Sequence, residues 1–175
     1  MDESALVVSV PEAEELVSGF RRKYDPVAAQ GITAHITLLS PFMHPKRLTN
    51  QVLSELRSFF ESTPRFEFIL VGPDRFGEEI LYLNPEPAAV LNDLTRALWS
   101  RYPDFPPYEG AFSDVVAHLT LGRVPPAASI DELESEFAEV AGGALPIRCH
   151  VIEAKLLVSH ADLWTEHTSF LLGAF

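Results

Sequence analysis

The sequence predicts an α+β protein made of two similar lobes, the product of an internal duplication. Two observations lead there. Helix-like and strand-like segments recur in the same order in the two halves of the 175-residue chain, and one strand in each half carries the pattern His-x-Thr-Leu. Repetition on this scale marks a repeated structural unit. Composition agrees, since 47% hydrophobic and 22% charged residues are ordinary values for a soluble globular protein. A chain of this length buries enough apolar surface to fold without disulfides or a structural metal.

The elements follow in order. The run SALVVSV (4–10) is β-prone and stops at Pro11. PEAEELVSGFRRKYD then reads as a helix, with proline in its first turn and acids near its N-terminus. AHITLLSPF (34–42) reads as a strand ending at Ser-Pro. The spacing of Leu48, Val52, Leu56 and Phe59/Phe60 predicts a helix over 45–61. RFEFILVG and EILYLN are strands joined by the turn-rich PDRFGE. The second half repeats this order: a helix over 85–102, the strand VVAHLTLGRV (115–124) and a helix over 129–141. LPIRCHVIEAKLLVSH and HTSFLLGAF then close the chain as strands, with ADLWTE between them. The loop YPDFPPYEGAFSD (102–114) has no counterpart of equal size before His35, and long loops of this kind tend to be functional rims.

The doubled motif is the most specific signal. His35-Ile36-Thr37-Leu38 and His118-Leu119-Thr120-Leu121 occupy equivalent repeat positions, whereas random placement gives only about 0.3 His-x-Thr matches in such a chain. On a strand, residues i and i+2 point the same way, about 6.6 Å apart, while i+1 and i+3 point oppositely. The leucines and Ile36 then pack beneath helices, leaving each His/Thr pair on the other face. A pseudo-twofold axis would set the two pairs across a groove. A phosphodiester held there has one imidazole near the attacking water, the other near the leaving oxygen, and threonine hydroxyls on its non-bridging oxygens. Histidine suits both roles because its ordinary pKa lies near neutrality.

Through HITLLSPF (35–42), PPYEGAFSDVVAHLTLGRV (106–124) and WTEHTSFLLG (164–173), nearly the whole chain resembles the two-histidine phosphoesterase superfamily, in particular its bacterial 2′-5′ RNA ligase-like members. The resemblance implies a bilobal fold of two pseudo-symmetric lobes, with antiparallel sheets flanking a central cleft and helices outside, in a single domain over 1–175. It implies His35 and His118 as the acid/base pair, Thr37 and Thr120 as phosphate ligands, and neither metal nor cofactor. Its implied substrates are 2′,3′-cyclic phosphates, 2′-5′ linkages or RNA ends. ATP-driven ligation has no support, as no Lys-x-Asp-Gly signature is present. A non-catalytic module binding a nucleotide or RNA end in the same cleft is the alternative, although a sensor would not need both histidines.

Net charge of −12, from 25 acidic and 13 basic residues, argues against tracking along duplex nucleic acid, which needs a basic face. A nucleotide or RNA terminus in a local pocket remains compatible. The acidic N-terminus is unlike a signal peptide, no apolar run reaches the roughly 20 residues of a membrane helix, and the single Cys149 suits a reducing compartment. A cytoplasmic monomer is therefore expected. Phe42, Tyr108 and Phe112 are candidates for stacking on a base, with loop anchoring the more ordinary role for each. Trp164 could cap the cleft or simply bury, and burial is the expectation. Arg123 is a candidate phosphate ligand, but strict alternation points it away from His118 unless Gly122 bends the strand. His44, His150, His160 and His167 form no convincing metal set.

Overall fold

The N-terminal apolar run forms β1 (Ser4–Ser9). Pro11 opens α1 (Pro11–Tyr24), which carries Glu12 and Glu14 in its first turn and Arg21, Arg22 and Lys23 in its last, each charge matching the nearer end of the helix dipole. A short helix α2 (Pro26–Ala29) follows, capped by the Asp25 side chain, and leads into β2 (His35–Leu39). These elements come from a computed structural model that describes residues 2–112 and 114–174. Met1, Ser113 of the long loop and Phe175 of the closing segment lie outside the described residues.

The helix expected over 45–61 is divided. A single 3₁₀ turn (Pro45–Arg47) precedes α3 (Asn50–Glu61), because the Thr49 hydroxyl caps the Val52 amide and starts a new helix there. β3 (Phe66–Phe76) and β4 (Ile80–Glu86) form a longer hairpin than the sequence suggested. PDRF is part of β3, and the turn falls at Gly77, whose φ of 54° suits glycine. α4 (Ala89–Arg101), β5 (Leu119–Arg123) and α5 (Ile130–Ala141) come next. Ser129 and Glu132 close a reciprocal capping box on α5.

The segment read as one strand from Leu145 to His160 is two, β6 (Ile147–Val151) and β7 (Glu153–His160). The chain leaves one sheet and enters the other at Ile152. β8 (Leu163–Leu171) returns after a tight turn at Ala161 and Asp162, so most of ADLWTE is strand rather than connection.

The strands make two antiparallel four-stranded sheets, β2-β1-β7-β8 and β5-β4-β3-β6. The lobes are therefore not the two halves of the chain. β1 is an interior strand and needs a partner on each side. It takes β2 on one and the late β7 on the other, with Leu6 opposite Leu156. The β3–β4 hairpin correspondingly joins the later β5 and β6. Helices cross over too, α1 packing on β5 and α4 on β2. One continuous apolar core results, from Leu6 and Ile36 of one sheet to Leu83 and Leu121 of the other. Burial of Leu, Ile and Phe side chains on this scale, each contributing about 1.5–3 kcal/mol, is what holds the two lobes as one α+β body. Among the described residues no helix is long and apolar enough to cross a membrane.

Candidate active site

The two motif strands are edge strands of their sheets, and they lie beside each other. Along each, side chains alternate as the pattern requires: Ile36, Leu38, Leu119 and Leu121 are buried, while His35, Thr37, His118 and Thr120 are half-buried on the opposite face. These four polar residues line a single cavity of about 520 Å³ between the sheets. The doubled motif is thus brought together across a cleft.

Both imidazoles are held in the same way. Nδ1 of His35 donates to the Thr33 carbonyl at 2.8 Å, and Nδ1 of His118 donates to the Val116 carbonyl at 2.7 Å. A carbonyl only accepts, so each Nδ1 carries a proton and each Nε2 is the nitrogen left to accept a proton in the neutral ring or to donate one from the imidazolium. Desolvation pushes the His35 pKa down to about 4, with the nearby Arg21 charge adding to the effect. His118 is also lowered, again mainly by burial. The rings are near enough for the charge of His118 to bear on His35.

Their surroundings differ. Phe76 meets His118 edge-on at 4.8 Å between centroids, Tyr82 lies at 5.5 Å, and Tyr108 stacks at 6.1 Å. Around the His35 side the wall is aliphatic, with Val7, Val27 and Ile32 next to Trp164. Behind His35, Arg21 is fully buried and grips Asp25 at 2.9 and 3.1 Å while donating to the Ile32 carbonyl at 2.9 Å. That pair fixes the turn leading to Thr33 and hence the anchor of His35.

Each motif strand carries one extra residue relative to its neighbour. Val7 faces Thr37 but Leu6 faces Leu39; Tyr82 faces Thr120 but Leu81 faces Gly122. Leu38 and Leu121 are the inserted residues, and after such a bulge the alternation is reset. Ser40 and Arg123 consequently line the same cavity as the histidines. Arg123 is an exposed side chain, 3.5 Å from Glu79. Among the described cavity residues it is the one Lys or Arg. Gly122 permits this geometry, since a Cβ there would collide with Tyr24 of α1.

Tyr108 and Phe112 line the cavity, Phe112 being 62% exposed. Trp164 lines it as well and is half-buried, so the expectation that it simply buries is corrected in part. Phe42 is a correction. Only 4% of it is exposed, and it packs edge-on against Tyr102 and Phe105 in the core, away from the cleft. The end of β2 turns it inward one residue past Pro41. Ser40, Phe76 and Tyr82 were not singled out from the sequence. Ser40 had a signal, for it stands five residues after His35 as Arg123 stands five after His118. Phe76 and Tyr82 had none, because only the β3–β4 and β4–β5 pairings together bring them beside a distant histidine. Cys149 is a buried strand thiol, as expected. Among the described residues no group of three or more His, Cys, Asp or Glu is placed to hold a metal ion.

The sequence matches the family model of the 2′-5′ RNA ligase superfamily over residues 9–165. Comparison with curated protein sequences gave no match. Among solved structures, the fold is similar to Escherichia coli LigT complexed with 3′-AMP, with a TM-score of 0.64 and 19% identity over 98% of both chains. It is also similar to the Thermus thermophilus protein TT0787, at TM-score 0.62 and 15% identity over 98% of both chains, and to a phosphoesterase at TM-score 0.57 and 19% identity over the same share of each.

Proposed function

The chain belongs to the 2′-5′ RNA ligase superfamily, and from that premise we propose that it is a metal-independent phosphoesterase acting on 2′,3′-cyclic phosphates or 2′-5′ phosphodiesters of nucleotides or RNA ends. The observation that carries the reading is the matched pair of Nδ1 anchors, which leaves two Nε2 atoms available in one cleft. A binding module would need the hydroxyls and the cation but not two such rings. This favours catalysis over the sensing alternative.

His35, held neutral by its low pKa, is the base. Its Nε2 takes a proton from water as the water oxygen bonds to phosphorus. The ester bond to the leaving ribose oxygen breaks, and that oxygen takes a proton from His118. His118 suits the acid role because the Tyr108 ring stacks on it, and a π-face and a bound anion both favour an imidazolium. Thr37 and Thr120 donate to the non-bridging oxygens as charge builds on them, and Arg123 supplies the positive charge. Phe112 and Trp164 are placed at the rim to meet a base. We take 1–175 as one bilobal domain working as a cytoplasmic monomer. The sparse positive charge of the cleft fits a small nucleotide or a chain end better than an extended duplex.

Hydrolysis of the four nucleoside 2′,3′-cyclic phosphates in EDTA tests this. Wild type is expected to turn over, and His35→Ala or His118→Ala to lose about 10²–10⁴-fold. Full activity in His118→Ala, or dependence on added metal, would overturn the mechanism.

A further inference from the structure

Tyr108 lies in the long loop before β5, and the acid–base scheme uses its ring beside His118 but gives its hydroxyl no role. Its backbone and that of Glu109 are left-handed, with φ of 52° and 56°, an unfavourable conformation for residues with a Cβ. Such a conformation persists only where its surroundings fix it. Here the Tyr108 N–H donates to the Ser40 carbonyl at 2.7 Å. The loop, which arises from the second lobe, is thereby pinned to the end of the first lobe's motif strand.

The side chain spans the cleft. Its ring stacks on His118 and meets Phe112 edge-on at 5.6 Å, while Thr37 lies near the phenol on the wall of the same cavity. One residue therefore stacks on the histidine of one motif and shares the cavity wall with the threonine of the other. Burial pushes its pKa up to about 12, so the hydroxyl stays protonated and able to donate. The pseudo-twofold is broken at this point. Arg123 serves the His118 side, but its counterpart Ser40 brings no charge to the His35 side. Anchoring the loop does not account for the phenol, because the backbone bond to Ser40 already does that.

We propose that the Tyr108 hydroxyl is a third hydroxyl of the phosphate cradle, donating beside Thr37 to a non-bridging oxygen on the His35 side of the cleft. This rests on the phosphodiester reading of the site, and adds to it a binding residue supplied across the lobe boundary by a strained loop. The ligand chemistry is a phosphoryl group; the hydroxyl, not the ring, is the recognising element.

Tyr108→Phe separates the two, keeping ring and loop. Adenosine 2′-monophosphate and adenosine are titrated into wild type and variant, alongside turnover of 2′,3′-cyclic AMP and a thermal melt. Loss of a hydrogen bond to a charged group predicts about 10- to 100-fold weaker binding of the monophosphate and a similar fall in kcat/KM, with adenosine affinity and melting temperature unchanged. Wild-type monophosphate affinity in Tyr108→Phe would overturn the proposal while leaving the phosphoesterase reading in place. Equal losses for adenosine and its monophosphate would overturn it too, assigning Tyr108 to base stacking. Weakened monophosphate binding in a protein whose wild type shows no turnover would uphold the cradle and sink the hydrolytic reading.

Discussion

Ser40 and Arg123 stand at the same place in the two lobes, each five residues after its motif histidine and each on the cleft wall. A one-residue bulge precedes both. The motif strands are thus matched beyond His-x-Thr, and along the cleft wall the first chemical difference between them is a hydroxyl against a guanidinium. That difference gives an otherwise symmetric cleft a polarity.

Arg123→Met should therefore weaken the phosphate side without touching the acid–base pair. The expected loss is about 10- to 100-fold in kcat/KM, the worth of a charge-assisted hydrogen bond, borne mainly by KM. Arg123→Lys should recover part of it, since a point charge lacks the planar fork. Steady-state kinetics of the two variants checks this, and an unchanged KM in Arg123→Met would remove Arg123 from the site.

The low His35 pKa gives a signed pH dependence. In the unfolded chain this imidazole protonates near its ordinary pKa of about 6.5, whereas in the folded protein it resists protonation until about pH 4. Between these values the unfolded state binds more protons, so stability is full above about pH 6.5 and falls as the pH drops toward 4. The loss amounts to at most about 3 kcal/mol. Urea unfolding from pH 7 to pH 4 should show a shallower decline in His35→Gln than in wild type. In activity, kcat/KM should keep its acid limb near pH 4, with an alkaline limb below 6.5 because His118 is lowered in the free protein. Bound phosphate should move the alkaline limb of kcat to higher pH.

How much of this was legible in the sequence depends on range. His35, Thr37, His118 and Thr120 could be placed on one face because strand alternation is local and periodic. The swap of strand pairs between halves could not, because β1 chooses β7 through contacts some 150 residues away in the chain, as Ser4 does with Val158. Arg123 fell between these cases: its direction turned on Gly122, and a bulge depends on the neighbouring strand as well as on the glycine. Phe42 looked like Tyr108 in sequence, an aromatic near a motif. Its burial against Tyr102 and Phe105 was set by where α4 docks on β2.

Gly122 offers a test of the bulge itself. Its φ is not in the left-handed region, so the constraint on this position is steric, namely the Tyr24 side chain and backbone of α1. Gly122→Ala should cost about 1–3 kcal/mol, as overpacking does, and should raise KM by displacing Arg123. Gly122→Ala combined with Tyr24→Ala should recover only part of the stability, since the backbone of Tyr24 also crowds the site and Tyr24 itself bonds Glu136. An additive double-mutant cycle would mean that the two residues do not meet.

Arg21 and Asp25 close the argument from stability to catalysis. Both are buried, at 1% and 5% exposure, and the Arg21 donors are spent on the Asp25 carboxylate and the Ile32 carbonyl. Asp25 also accepts from the Val27 amide, capping α2. Removing one partner leaves a charge without compensation in an apolar setting, a loss of about 3–5 kcal/mol. Asp25→Ala should therefore lower the urea midpoint sharply, whereas Arg21→Met with Asp25→Ala should regain much of it, because no buried charge is left over. Folded double mutant should still lose turnover. The Ile32 carbonyl is then unanchored, the neighbouring Thr33 carbonyl shifts, and the imidazole of His35 loses the acceptor that fixes its tautomer. Wild-type kcat in the double mutant would separate the buried pair from the positioning of His35.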